Sequence, residues 1–203
     1  MIDLFSKTEA SHQTKEFDHR IKGLKVVNNL ITDYEHDRLM ICIDQGVWST
    51  ELKRRVQHYG YKYNYRARSI TKDMATMPIP DWAMEIAKRL TDLKYFDTLP
   101  DQLIINEYLP GQGITSHIDC EPCFLGTVAS VSLGSTAIMQ FTRNNTSEKL
   151  DIPLFINSVV ILQEDARYKW KHGIPARRSD VIDGKRITRD RRVSLTFRKV
   201  FIE

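Results

Sequence analysis

The sequence predicts a mainly β fold with flanking helices: a double-stranded β-helix (jelly roll) core behind an N-terminal helical and lid extension. Two observations carry this. From residue 99 onward the chain is cut into about eight short apolar stretches separated by turn residues, with no helical spacing between them, as in a sandwich or barrel. Before residue 99, apolar residues recur at helical intervals instead; Trp82, Ile86, Leu90 and Leu93 fall on one face of a helix over 81–93. The 203 residues suit one domain, read as a loose polar N-terminus (1–20), a helical extension and lid (21–98) and a jelly-roll core (99–203).

The elements follow in order. A first helix is expected over 33–42, where Thr32 or Asp33 can cap the start and Glu35 falls in the first turn. A second is expected over 50–58. Residues 59–65 alternate aromatic and polar, as a strand with its tyrosines on one face. The stretch Pro78-Ile79-Pro80 is a stop, and Asp81 is expected to cap the helix over 81–93. Core strands are read at 103–108 (ended by Pro110-Gly111), 114–119, 127–133, 137–142 (followed by a turn at Asn144-Asn145), 149–152, 158–162, 168–172 and 192–201.

Apolar residues make up 41% and charged residues 28%, an ordinary globular balance. No stretch approaches the ~18–20 consecutive apolar residues of a membrane span, so no membrane partner is expected. Met1 to Lys7 carries an early acid and no apolar run, unlike a signal peptide. The expectation is a cytoplasmic monomer. The three cysteines, Cys42, Cys120 and Cys123, argue against a disulfide framework. The lone Cys120-x-x-Cys123 lacks the partners of a zinc site and is read as ordinary turn cysteines at a rim beside His117 and Asp119. Net charge is +4. The basic residues cluster at Lys53-Arg54-Arg55, at Arg66 and Arg68, at Arg177-Arg178 and along 185–192. One cluster is usually a solvated face, but several together permit a nucleic-acid partner.

The chemistry concentrates in three places. On a strand, His117 and Asp119 point the same way, supplying two legs of the two-histidine, one-carboxylate triad that holds non-haem Fe(II). His172, on a late strand, can close it. One such pair arises easily by chance, so the last strand carries weight: Arg192, Ser194, Thr196 and Arg198 share one of its faces. An amphipathic edge strand would look the same. A clamp for the two carboxylates of 2-oxoglutarate would also need arginine forks there. A zinc hydrolase using the same histidines, and a binding module without turnover, stay open on these residues.

Residues 106–111 (Asn-Glu-Tyr-Leu-Pro-Gly), then His117-Ile118-Asp119, then Trp170-Lys171-His172-Gly173-Ile174, then 192–198 occur in this order. Across 60–200 this resembles the AlkB family of nucleic-acid dioxygenases, and most of all the oxygenase domain of homologues that modify tRNA wobble uridines. The resemblance implies that His117, Asp119 and His172 bind Fe(II). It implies that Asn106, Tyr108, Arg192 and Arg198 hold 2-oxoglutarate, with Ser194 where the bacterial repair enzyme has asparagine. Oxygen is the second co-substrate. Tyr61 and Tyr63 match the start of the nucleotide-recognition lid and, with Arg66, become candidate substrate contacts. Glu121 stands where family members place an acid near the target base. Trp170 reads as a core aromatic. The implied activity is oxidative N-demethylation of a base in single-stranded DNA or RNA. The alternatives are hydroxylation of a modified tRNA uridine, or the same chemistry on a protein or small molecule.

Overall fold

A computed structural model describes residues 21–202; the N-terminal stretch 1–20 lies outside the described residues. In chain order the elements are β1 (Leu24–Val27), α1 (Asp33–Asp44), β2 (Val56–Tyr59), α2 (Asp81–Asp92), β3 (Gln102–Tyr108), β4 (Ile114–His117), β5 (Phe124–Leu133), β6 (Ala137–Arg143) and β7 (Lys149–Leu154). They continue with β8 (Val159–Leu162), α3 (Glu164–Tyr168), β9 (Trp170–Ile174), β10 (Ser179–Ile182), β11 (Lys185–Thr188) and β12 (Arg192–Val200). A six-stranded antiparallel sheet runs β1-β8-β5-β12-β3-β2, and a four-stranded one runs β4-β9-β6-β7. Together they form the jelly roll. A β10-β11 hairpin stands apart.

Strand alternation builds two cores from one sheet. On β12, Val193, Leu195 and Phe197 join Leu103 and Ile105 of β3 and Ala129, Val131 and Leu133 of β5 in a cluster with α1 and α2. The opposite faces carry Tyr108, Val128, Val160 and Leu162 towards β6, β7 and β9. That inner space also receives the polar residues of β12. Helix α1 is held at its start by a capping box, Thr32 with Glu35. Its Glu35 is tied to Arg89 of α2 by an ion pair that links the two helices.

Several expectations need correction. The helix expected over 50–58 is absent: 51–54 form a bend, and Val56 to Tyr59 pair as a strand with β3. Pairing with a central strand outweighs a weak helical preference there. The strand expected over 59–65 ends at Tyr59. Gly60 adopts φ +78°, and a Cβ there would lie 1.8 Å from the Asp101 carbonyl oxygen. The chain leaves the sheet at this glycine, so Tyr61, Tyr63 and Tyr65 belong to a lid loop. We predict that Gly60→Ala lowers stability by roughly 2 kcal/mol or more, read as a drop in melting temperature. An unchanged melting temperature would mean that this backbone approach is not rigid.

Helix α2 starts after Pro80, with Asp81 inside its first turn instead of capping it. Strands β4 and β9 are shifted from 114–119 and 168–172, and the short α3 precedes β9. Unforeseen were β1 and the β10-β11 hairpin. The hairpin's signal was present: Asp183-Gly184, at φ +50° and +75°, is the dipeptide that suits a two-residue turn. The cysteine reading is overturned: Cys120 and Cys123, their Cα atoms 5.3 Å apart, are joined in a disulfide. Three-residue spacing around a turn brings both sulfurs within bonding reach.

Candidate active site

Between the two sheets lies a cavity of about 490 Å³, lined by both. His117 ends β4 directly opposite His172 on β9, so the two rings stand side by side with centroids 4.6 Å apart. Asp119 follows two residues past the end of β4. The convergence expected from a strand pleat is therefore completed by the turn that leaves the strand. One ligand atom from each of His117, Asp119 and His172 lies within 4.8 Å of the others.

The electrostatics suit a metal. Burial alone would raise the Asp119 pKa, but Arg198, His172 and His117 together hold it below the ordinary carboxylate range. Arg198 donates to Asp119 Oδ1 from Nε at 2.9 Å and Nη2 at 2.6 Å. Asp119 Oδ2 is buried with no hydrogen-bond partner, and it faces His172 Nε2 at 3.4 Å. Burial pushes the His172 imidazole down to about 3, so it is neutral at physiological pH. His117 Nδ1 lies 2.8 Å from the Thr115 carbonyl oxygen. A proton donated there leaves Nε2 as the free lone pair. An orphaned carboxylate oxygen beside two imidazole rings fits a divalent ion that takes nitrogen and oxygen ligands.

Deeper in the cavity, Arg192, Ser194, Thr196 and Arg198 all face inward from β12. Arg192 is buried. Its Nη2 donates to Ser132 Oγ at 2.9 Å, while Nε and Nη1 are buried without partners. Burial pushes its pKa down to about 10, which leaves it cationic near neutrality. Tyr108 lies under the guanidinium, 5.4 Å from its ring centroid. Ser194 stands opposite Asn106 in register, and Asn106 Oδ1 accepts from Arg54 Nε at 2.9 Å. A cationic fork with two free N–H groups in a closed polar slot can take a carboxylate in bidentate fashion.

The cavity is also lined by Tyr63, Tyr65 and Arg68 from the lid and by Lys53 and Arg54 from the segment before β2; Lys53 and Arg68 are exposed, whereas the Tyr65 hydroxyl is buried and Arg54 reaches in to Asn106. Tyr63 and Tyr65 pack edge to face, with centroids 5.1 Å apart.

Residues 9–198 match the 2OG-Fe(II) oxygenase superfamily. The chain belongs to this family. Protein L905 of Acanthamoeba polyphaga mimivirus is 36% identical over 191 residues, covering 90% of this chain and 87% of that one. The alkylated DNA repair protein ALKBH8 homolog of Arabidopsis thaliana is 33% identical over 203 residues, covering 89% of this chain. The chain spans 59% of that relative's length. The solved structure of OsALKBH1 superposes with a TM-score of 0.64 at 21% identity, over 87% of this chain and 96% of that one. It shares the fold. The chain is an AlkB-like dioxygenase, and Fe(II), 2-oxoglutarate and O2 are the cofactor and co-substrates of its family.

In this oxygenase the structure brings most of the residues expected from sequence into one cavity: His117, Asp119, His172, Asn106, Tyr108, Arg192, Ser194, Arg198 and Tyr63. Three others do not line it. Tyr61 accepts a hydrogen bond from Gln102 Nε2 through its carbonyl, and its side chain packs against the small apolar cluster that contains the disulfide. Arg66 and Glu121 are exposed on turns. In their place stand Tyr65, Arg68, Lys53 and Arg54. Tyr65 shared its alternation with Tyr61 and Tyr63, and Lys53-Arg54 was a visible basic cluster, but nothing in the sequence ranked them. Arg198 is engaged by Asp119 and, at 3.3 Å, by Gln102 Oε1.

Arg167 carries no such signal. This buried guanidinium donates to the carbonyls of Asp119 (3.0 Å), Cys120 (3.2 Å) and Phe124 (3.5 Å), pinning the turn that bears the oxygenase's only carboxylate in the metal trio. We predict that Arg167→Met weakens iron binding roughly tenfold or more. It should also lower the melting temperature, because carbonyls lose their donors at about 1–3 kcal/mol each where they stay buried. Iron titration of the variant that matches wild type would show that the turn holds itself.

Proposed function

We propose that this oxygenase oxidises a base in single-stranded DNA or RNA, and that the reaction is oxidative N-demethylation. The observation that carries the reading is a two-histidine, one-carboxylate trio, with Asp119 and His172 buried and His117 half-buried, in a cavity also lined by two lid tyrosines and by Lys53, Arg54 and Arg68. The name of the Arabidopsis relative, an alkylated DNA repair protein, supports the substrate class.

His117 Nε2, His172 Nε2 and Asp119 Oδ2 would hold iron, the last of these because Arg198 occupies Oδ1. Arg192 would receive one carboxylate of 2-oxoglutarate, beside Tyr108, Ser194 and Asn106. With O2, that pair supplies an oxidation that hydroxylates a C–H bond as 2-oxoglutarate is converted to succinate and carbon dioxide. On an N-methyl group the hydroxylated carbon leaves as formaldehyde. A base must leave its stack to reach the trio. Tyr63 and Tyr65 are placed to stack on it, at about 1–3 kcal/mol per base. Lys53, exposed at the cavity, would meet a flanking phosphate, so binding should weaken with salt.

The test is incubation with Fe(II), ascorbate, 2-oxoglutarate and methylated single-stranded oligonucleotides, scoring succinate and nucleosides together. Stimulated succinate with loss of the methyl group supports demethylation. Gain of one oxygen with the carbon retained assigns hydroxylation instead. Succinate with no nucleoside change sinks the nucleic-acid reading.

A further inference from the structure

We propose that Arg68 reads the charge of the incoming base, so that the site takes neutral or anionic bases and rejects cationic, ring-methylated ones. This rests on the nucleic-acid reading above and narrows it. Three positive side chains from the lid and the segment before β2 line the cavity: Lys53 and Arg68, which are exposed, and Arg54, which reaches in to Asn106. Among the described residues none of the three is ion-paired with a carboxylate. Among the described residues the only carboxylate lining the cavity is Asp119, already engaged by Arg198. Glu121 points to solvent on the turn beyond it. Glu51, near the lid, is paired with Lys62 at 2.7 Å. A base that arrives with a positive charge meets like charges and no acid to neutralise it, which disfavours it at close range.

The turn that presents Arg68 is built for it. Asn64 Oδ1 accepts from the backbone N–H of Arg66 (3.0 Å) and Ala67 (2.9 Å). The Asn64 carbonyl accepts from Arg68 N at 2.8 Å, and Asn64 N donates to the Ser69 carbonyl at 3.2 Å. This holds Arg68 at φ +52°, a left-handed conformation that is unfavourable for a long side chain and that surrounding structure must impose. Contacts on the far side complete the placement. The Arg68 carbonyl oxygen sits 3.2 and 3.4 Å from the sulfurs of Cys120 and Cys123. Its Nη2 lies 3.5 Å from the carbonyl of Ile118, the residue between two members of the metal trio. The positive charge is thus set beside the reacting centre by backbone on both sides.

Two isomers test this without changing size. One oligonucleotide carries 1-methyladenine, a cation at neutral pH, and another carries N6-methyladenine, which is neutral; a third carries a carboxylate-bearing pyrimidine. kcat and KM are measured for wild type, Arg68→Glu and Arg68→Gly. Glycine removes the charge and accepts the positive φ, so its melting temperature should equal or exceed that of wild type. Wild type should favour the neutral or anionic strands. Arg68→Glu should shift the ratio of kcat/KM towards 1-methyladenine by roughly tenfold or more, mainly through KM, with Arg68→Gly between. If wild type prefers 1-methyladenine, or if both variants leave the ratio where it was, Arg68 does not select by charge, although the nucleic-acid reading stands. If no strand stimulates succinate formation, both fall.

Discussion

Replacing Arg192 by methionine should abolish 2-oxoglutarate use and yet raise the melting temperature of the co-substrate-free protein. In the wild type a buried guanidinium keeps its charge with one hydrogen bond, to Ser132 Oγ, and two N–H sites unmet. An uncompensated buried cation is costly, and replacing such a group by an apolar side chain of similar length can stabilise by about 1–4 kcal/mol. The charge is therefore held against stability, which is expected where a ligand supplies the counter-charge. 2-Oxoglutarate at a hundred times its Kd should stabilise wild type by about 2.7 kcal/mol, and should leave Arg192→Met unmoved. Thermal melts with and without 2-oxoglutarate, paired with succinate assays, decide it. An equal ligand-induced shift in both proteins would place the carboxylate elsewhere, with Arg198 the next residue to examine.

Asp119→Asn should cost both iron and stability, whereas His172→Ala should cost chiefly iron. Asp119 is the anion that balances Arg198, and its charge is also felt by the buried Arg167. Removing one partner of a buried ion pair typically costs about 3–5 kcal/mol, because the other charge is left alone. His172 is neutral where it stands, its Nδ1 has no partner, and no ion pair depends on a charge there. Iron titration should show both variants weakened by at least about a hundredfold. Denaturant melts should separate them by several kcal/mol. Matching melts would mean that the arginines find other acceptors when the carboxylate is lost.

What could be read from sequence was whatever depends on neighbours along the chain. Strand alternation put Arg192, Ser194, Thr196 and Arg198 on one face, and all four line one cavity. The capping signal at Thr32 and Glu35, and the helical spacing from Trp82 to Leu90, depend on local hydrogen bonds and a 3.6-residue period, and both helices are present. The lid was opaque for a physical reason. Its path is set by Gly60 meeting the Asp101 backbone and by a turn built around Asn64, and neither contact has a sequence period. Tyr61, Tyr63 and Tyr65 are equivalent as letters. Only the turn away from the sheet sends the latter two to the cavity.

By itself, then, the sequence determined the chemistry: two histidines, one carboxylate and inward-facing arginines on strands, because ligand type and side-chain alternation are properties of residues and their spacing. Tertiary structure decided how that chemistry is held and what it admits. Arg167 pins the Asp119 turn and Arg198 takes one oxygen of its carboxylate, which leaves the other free. Arg68 sits at the mouth while Glu121 faces solvent. These are contacts between segments about fifty or more residues apart, and their energies depend on burial and distance, which no local pattern encodes.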